Sequence, residues 1–125
     1  MLNPLHPKPT ILLVDDDAAL CAALKFNLEI EGFDVLTCES GEALLLRDLP
    51  AGPACMVLDY NLPGITGLDA LVQLRQRQVD LPALIITSTP SLNVRARIRA
   101  AGASLIEKPL LGDGLVSGIR EALAR

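Results

Sequence analysis

The chain has 125 residues, half of them hydrophobic and only 2% aromatic, and its formal net charge is −4 at neutral pH. This length predicts one domain that buries about two thirds of its unfolded surface around an aliphatic core. The negative charge argues against a dedicated nucleic-acid-binding surface, and no apolar run approaches the ~20 residues that cross a membrane.

The first nine residues differ from the rest because three of them are prolines. We predict a flexible, proline-rich leader at residues 1–9 and a single domain at residues 10–125. The leader has no apolar segment of the kind found in secretory signal peptides. Cys21, Cys38 and Cys55 lie apart from one another inside apolar patterns, which indicates reduced, buried thiols and a cytoplasmic protein.

From residue 10 onward, short apolar runs alternate with segments of helical periodicity. In chain order, the pattern predicts a strand at residues 10–14 and a helix at 18–31, a strand at 34–38 and a helix at 41–49, a strand at 55–58 and a helix at 68–78, a strand at 83–86 and a helix at 92–101, and a strand at 105–106 and a helix at 114–124. Five strand–helix units in succession predict an α/β fold with a parallel sheet.

Local signals support the first elements of this pattern. Asp17 and Ser40 are expected to cap the first two helices, and Gly32 to end the first one. The strand at residues 55–58 is apolar on both faces, so it is expected at the centre of the sheet. The buried face of the first helix is predicted to consist of Leu20, Ala23, Leu24 and Leu28.

Polar residues stand where four of the apolar runs end. Asp15 and Asp16 follow the first strand, Asp59 the third, Thr87 the fourth and Lys108 the fifth. Because parallel sheets carry their sites at the carboxyl ends of the strands, these side chains are expected to converge. Neighbouring carboxylates repel one another unless a cation neutralises them, and oxygen ligands suit Mg²⁺ or Mn²⁺. The set therefore predicts a site for a divalent cation and a phosphoryl group.

Each of these residues also has a simpler interpretation. Asp59 could cap the turn that follows it, and the aspartates before the first helix could favour the positive end of that helix. Lys108 could be an ordinary solvated lysine, and Thr87 a β-branched strand residue. Their position at four strand ends favours a shared site, and the helix-end interpretation is kept for Asp17 alone.

Four segments of the chain resemble the receiver domain of bacterial two-component response regulators. They are Leu13-Val14-Asp15-Asp16-Asp17, Leu58-Asp59-Tyr60-Asn61-Leu62-Pro63-Gly64 with Gly67-Leu68, Ile86-Thr87-Ser88, and Glu107-Lys108-Pro109. The resemblance covers nearly the whole chain from Thr10 onward. It implies a (βα)5 doubly wound, five-stranded parallel sheet of the flavodoxin-like receiver fold, with strand order 2-1-3-4-5. The end of the chain is most similar to receivers that precede LuxR-type helix-turn-helix domains.

The resemblance also implies a role for each acidic residue. Asp59 is the expected phosphoacceptor, which forms an aspartyl phosphate with Mg²⁺ or Mn²⁺ present. Asp16, Asp59 and the backbone carbonyl of Asn61 are the expected metal ligands, and Asp15 is expected to act through a metal-bound water.

Two further residues complete the implied site. Lys108 is expected to pair first with Asp59 and then with the phosphoryl oxygens, with the Lys108–Pro109 bond in the cis form. Thr87 is expected to donate its hydroxyl to a phosphoryl oxygen.

Two positions depart from the family pattern. Leu105 stands where the family commonly has Tyr or Phe, so the usual burial of an aromatic ring is not available for signalling. The stretch from Thr87 to Lys108 is one residue shorter than in the family, which predicts a tightened turn before the fifth strand. We expect phosphorylation to survive both changes because neither alters the carboxylates.

The implied partners follow from the family. A histidine kinase or phosphotransfer protein would supply the phosphoryl group, and a homodimer could form through the fourth helix, fifth strand and fifth helix. DNA is an expected partner only through an output domain in a longer protein, and no membrane partner is expected. The basic fourth helix, with Arg95, Arg97 and Arg99, could be a solvated face or a partner surface.

The expected signalling domain is not a turnover enzyme, and three other functions compete with this interpretation. The Asp15-x-Asp17 pair superficially resembles phosphatases of the haloacid-dehalogenase type, although the sequence that follows it departs from that family. A degenerate receiver that acts by protein contact alone would explain Leu105. A nucleotide-binding domain is disfavoured because no glycine-rich loop follows the first strand.

Overall fold

The computed structural model describes residues 8–110 and 113–124. Within them the chain alternates five strands and five helices: β1 (Thr10–Val14), α1 (Ala18–Ile30), β2 (Asp34–Cys38), α2 (Gly41–Leu46), β3 (Ala54–Asp59), α3 (Gly67–Gln76), β4 (Ala83–Thr87), α4 (Leu92–Ala100), β5 (Ser104–Glu107) and α5 (Gly114–Leu123). Residues 1–7 lie outside the described residues, so the leader at residues 1–9 stays a prediction.

The strands form one parallel sheet in the order β2-β1-β3-β4-β5, which confirms the predicted α/β fold. The strand β3 is buried along its whole length, as expected for the centre of the sheet. Val14 is level with Leu58 in the register, Asp59 with Ile86, and Thr87 with Glu107. The carboxyl ends of β1, β3, β4 and β5 therefore meet at one edge.

Two aliphatic clusters cover the two faces of the sheet, because successive side chains of a strand point to opposite faces. Leu12 and Val14 of β1 join the cluster beneath α2, α3 and α4, whereas Ile11 and Leu13 join the cluster beneath α1 and α5. Helix α4 contributes a single fully buried side chain, Ile98. Helices thus cover both faces of the sheet, but they bury different numbers of side chains against it.

Four helices begin with a side-chain cap. Asp17 accepts a hydrogen bond from the Leu20 N–H at 3.1 Å, and Ser40 accepts one from the Ala43 N–H at 3.0 Å, as predicted. Thr66 and Ser91 cap α3 and α4 in the same way.

The predicted buried face of α1 is wrong at one position. Ala23 is exposed, and Cys21 instead points inward beside Leu28. The side opposite this buried face carries Phe26 and Ile30, which are 64% and 66% exposed.

Several predicted boundaries differ from the structure, and the largest difference is at α2. This helix ends at Leu46 and not at residue 49. The Arg77 guanidinium donates a hydrogen bond to the Leu45 carbonyl at 2.8 Å, in place of the backbone N–H that a longer helix would supply. A tertiary contact from the residue that follows α3 thus ends α2 before Pro50 does.

The other boundary differences are small. Helix α3 spans two residues fewer at its end because Gln78 has a left-handed backbone, with φ of 67°. The strand β5 is longer than predicted because its pairing with β4 runs from Ser104 to Glu107.

All three cysteines are buried and free, as the sequence predicted. Within residues 8–110 and 113–124, no helix is both long enough and apolar enough to cross a membrane.

Candidate functional site

The polar residues predicted from the strand ends meet at one edge of the sheet. Asp15 and Asp16 follow β1, and Asp59 is the last residue of β3. Thr87 is the last residue of β4, and Lys108 directly follows β5. The parallel topology thus brings residues together that lie up to 93 positions apart in the sequence.

The three carboxylates form a compact cluster. Asp15, Asp16 and Asp59 each offer an oxygen atom, and these atoms lie within 4.8 Å of one another. Asp15 and Asp59 are buried, with 6% and 5% exposure, whereas Asp16 is open to solvent. Grouped carboxylate oxygens with one open side are a donor set that suits Mg²⁺, which keeps several water ligands. The cluster therefore fits the metal that the sequence predicts.

Lys108 meets the acidic cluster at Asp59. Its Nζ lies 3.1 Å from Asp59 Oδ1, and the Asn61 N–H donates to the same oxygen at 3.3 Å. The Lys108 N–H donates to the Thr87 carbonyl at 2.9 Å, which continues the pairing of β5 with β4. The Lys108–Pro109 bond is cis, as the resemblance implied.

Burial raises the pKa of the Asp15 carboxyl above its ordinary value. The hydrogen bond that Asp15 accepts from the Asp17 N–H, at 2.9 Å, opposes this rise in pKa. The negative charge of Asp59 adds to the rise in pKa, and the positive charge of Lys108 opposes it. Concentrating negative charge here is therefore costly until a cation compensates it.

Thr87 lies at the site, and its hydroxyl faces the carbonyl of the next residue. Its side chain is 3% exposed, and its Oγ1 lies 3.5 Å from the Ser88 carbonyl, which is the limit of a hydrogen bond. The hydroxyl can therefore turn toward another acceptor at little cost.

The backbone after Asp59 is packed tightly at one glycine. A side chain at Gly67 would collide with the Asp59 carbonyl oxygen, so the close return of α3 to the end of β3 requires glycine at this position. The Gly67 N–H closes the intervening loop by donating to the Tyr60 carbonyl at 3.1 Å. The sequence motif contained this glycine, but its contact became visible only in the fold.

The loop also has an anchor that the sequence analysis missed. The Glu42 carboxylate, in the first turn of α2, accepts a hydrogen bond from the Ile65 N–H at 3.2 Å. An acidic residue in the first turn of a helix is common, so nothing in the sequence distinguished this one.

The two departures from the family pattern have simple structural settings. Leu105 is partly buried against the cluster beneath α4. Between α4 and β5 there are three residues, with Gly102 in a left-handed conformation and the Ala103 N–H bonded to the Ile98 carbonyl at 3.1 Å. This arrangement is a compact helix end of the Schellman type.

Comparison with known protein families agrees with this geometry. Residues 11–120 match the family described as the response regulator receiver domain. The chain belongs to this family, and it is a receiver domain of two-component response regulators.

The curated relatives are transcriptional regulators. The chain is 32% identical over 121 residues to the C4-dicarboxylate transport transcriptional regulatory protein DctD of Pseudomonas aeruginosa, covering 96% of this chain and 26% of that protein. It is 34% identical over 120 residues to the phosphate regulon transcriptional regulatory protein PhoB of Rhizobium meliloti, covering 94% of this chain and 53% of that protein. The chain thus spans about a quarter to a half of these two relatives.

Solved structures show the same fold. The signal receiver domain of a putative LuxO repressor protein from Vibrio parahaemolyticus matches with a TM-score of 0.85 at 27% identity, covering 95% of this chain and 92% of that one. The non-phosphorylated HemR receiver domain from Leptospira biflexa matches with a TM-score of 0.84 at 29% identity, covering 94% and 96%. The closer similarity to receivers that precede LuxR-type domains stays a prediction.

Proposed function

We propose that this receiver domain accepts a phosphoryl group on Asp59 in a Mg²⁺-dependent reaction. The observation that carries the proposal is the arrangement around Asp59, with the Lys108 ammonium 3.1 Å from its Oδ1 and oxygens of Asp15 and Asp16 within 4.8 Å. A carboxylate in this setting has a cation for the incoming phosphoryl oxygens and an acidic pair for a metal.

The reaction is a transfer between two covalent partners. A carboxylate oxygen of Asp59 forms a bond to phosphorus as the bond between phosphorus and the donor breaks. When the donor is a phosphohistidine, the broken bond is P–N, and the protonated ring leaves as neutral imidazole. The Lys108 and Asn61 contacts both fall on Oδ1, which leaves Oδ2 as the oxygen that attacks.

The neighbouring side chains stabilise the charge of the phosphoryl group. Lys108 shifts from the Asp59 oxygen to a phosphoryl oxygen, and the Thr87 hydroxyl donates to another. Asp16, Asp59 and the Asn61 carbonyl would hold the metal, with Asp15 acting through a water. A bound Mg²⁺ supplies positive charge that offsets the carboxylates and the phosphoryl oxygens.

The phosphatase alternative is disfavoured by the position of Asp17. Its side chain caps α1 by accepting from the Leu20 N–H, and it is exposed. The Asp15-x-Asp17 pair therefore does not converge on one reacting atom. We infer a signalling domain that is phosphorylated and dephosphorylated on Asp59, and not a turnover enzyme.

The proposed partners follow from family membership. We propose a histidine kinase or phosphotransfer protein as the donor, in the cytoplasm, and a homodimer through α4, β5 and α5. A DNA-binding output would belong to a longer protein, as the names of the regulatory relatives suggest for them.

The test is intact-mass spectrometry after incubation with acetyl phosphate and Mg²⁺. We expect wild-type protein to gain one acid-labile phosphoryl group and Asp59→Asn to gain none. Asp34→Asn, an exposed aspartate at the start of β2, is the matched control and should behave as wild type. Equal incorporation by Asp59→Asn would refute Asp59 as the acceptor, and no incorporation by wild type with Mg²⁺ binding also absent would favour a degenerate receiver.

A further inference from the structure

We propose that Glu42 is a positioning residue for the phosphorylation site, a role that rests on the proposed function. It would act through the loop of residues 60–66 that follows Asp59, and it would touch neither the metal nor the phosphoryl group. The contact that defines this role is the hydrogen bond from the Ile65 N–H to the Glu42 carboxylate at 3.2 Å.

The two ends of this loop are fixed by its own neighbours. The Gly67 N–H bonds to the Tyr60 carbonyl, and the Asn61 N–H bonds to Asp59. At the far end, Thr66 accepts the Asp69 N–H as the cap of α3. These bonds all lie within β3, the loop and α3.

Glu42 ties the loop to a different part of the fold. Two side chains accept hydrogen bonds from the backbone of residues 61–66 in the described part of the chain. Asp59 belongs to β3, next to the loop, whereas Glu42 belongs to α2. Ser40 caps α2 two residues earlier, so the helix that presents Glu42 has a defined start. The position of the loop therefore depends on α2 through this carboxylate.

The loop is shaped to receive the carboxylate. Gly64 has φ of 77°, and a side chain built at this position would collide with the Glu42 carboxylate. A side chain at Gly41 would likewise press on Ile65, with 2.8 Å between its Cβ and the Ile65 Cγ1. Two glycines, one on each side of the contact, thus permit the close approach of α2 and the loop.

This contact matters because Asn61 lies in the same loop. Its backbone carbonyl is the proposed metal ligand, and its side chain is exposed. A carbonyl on a loop that is held only at its ends must be ordered further when the metal binds, and that ordering reduces affinity. Glu42 reduces this cost by holding residues 64 and 65 in place beforehand.

The test measures Mg²⁺ affinity through tyrosine fluorescence of the intact chain. Tyr60 is the single tyrosine of a chain that has no tryptophan, and it adjoins Asp59. We expect Glu42→Ala to weaken Mg²⁺ binding by about 3- to 10-fold, the loss of one hydrogen bond. Glu42→Gln keeps an oxygen acceptor, and its Mg²⁺ affinity should stay within about twofold of wild type. The proposed role depends on the hydrogen bond and not on the charge of Glu42.

Two controls separate positioning from charge and from folding. Asp48→Ala removes an exposed acidic charge just after α2, and it should bind Mg²⁺ as wild type does. Amide hydrogen exchange without metal should show faster exchange at Ile65 in Glu42→Ala and in no other variant, while urea unfolding confirms that each variant is folded.

The outcomes are distinguishable from those of the proposed function. Wild-type binding with an unchanged affinity in Glu42→Ala would overturn the role of Glu42 and leave Asp59 as the acceptor. Equal weakening in Glu42→Gln or Asp48→Ala would also overturn it, in favour of a general charge effect. Wild type that binds no Mg²⁺ would overturn both proposals.

Discussion

Nζ of Lys108 lies 3.1 Å from Oδ1 of Asp59, so the cation after β5 meets the carboxylate of β3 across the intervening strand β4. The pair spans two strand spacings, about 10 Å of sheet. Lys108 is partly exposed and Asp59 is buried, so the lysine can move while the carboxylate stays in place.

Removing Lys108 should separate metal binding from phosphoryl transfer. We expect Lys108→Ala to be phosphorylated by acetyl phosphate about 10- to 100-fold more slowly, because the phosphoryl oxygens lose their cation. The same variant should bind Mg²⁺ about threefold or more tightly, because a competing positive charge has left the acidic cluster. Lys8→Ala removes a lysine that precedes β1, at the opposite end of the strand from Asp15 and Asp16, and it should change neither quantity. Weaker Mg²⁺ binding in Lys108→Ala would contradict this account of the ion pair.

Arg75 should be a major determinant of stability, although it is not part of the site. Its guanidinium donates to the carbonyls of Val79 and Leu81 at 2.8 Å and of Ala101 at 2.9 Å. Burial lowers the pKa of Arg75, and Asp80 opposes this.

Arg75→Met would leave these three carbonyls without their donors, and we expect it to reduce the free energy of unfolding by about 2–4 kcal/mol. Urea denaturation measures this loss. Arg99→Met, at an exposed arginine of α4, should stay within about 0.5 kcal/mol of wild type. Similar losses in the two variants would show that the carbonyl contacts contribute little.

Two helix ends offer a matched pair of backbone tests. Gln78 and Gly102 both adopt a left-handed conformation, with φ of 67° and 72°, and each is followed by a bond that closes the helix end. Gln78→Gly should raise the free energy of unfolding by about 0.5–1 kcal/mol, because glycine adopts this conformation without strain.

Gly102→Ala should lower the free energy of unfolding by about 1 kcal/mol, since the nearest atom to an added Cβ lies 4.0 Å away and backbone strain is the main effect. Thermal or urea unfolding measures both variants. Changes of the same sign in the two would rule out the left-handed backbone as the common cause.

Cys55 should make the protein less stable as the pH rises above 9. Burial raises the pKa of its thiol from 9.0 to about 12. Between these values the native state keeps a proton that the unfolded chain has lost, so the free energy of unfolding falls as pH rises.

The limiting slope for this one thiol is about 1.4 kcal/mol per pH unit. Cys55→Ala should show a shallower decline, together with a constant loss from reduced packing at every pH. Parallel pH profiles for wild type and Cys55→Ala would contradict the shifted pKa.

The sequence was sufficient to predict the sheet and the residues at its edge. Asp59 and Thr87 end strands that are apolar throughout, so their place at the carboxyl edge followed from local pattern. What it could not predict were contacts made across the fold. The end of α2 depends on Arg77 reaching Leu45, and the anchoring of the loop depends on Glu42 reaching Ile65. Neither pair has a local signature, because each joins residues more than 20 positions apart.

Helix α4 is attached in a way that makes its position sensitive to ionic strength. It fully buries Ile98 alone, and its other attachments include ion pairs from Arg95 to Glu107 at 2.6 Å and from Arg97 to Asp69 at 3.2 Å. All four of these charged side chains are 40% to 51% exposed, so dissolved salt screens them, whereas the apolar contacts of the buried sheet do not depend on such charges. The helix that follows Thr87 should therefore loosen first as salt concentration rises, before the strands that carry the carboxylates respond.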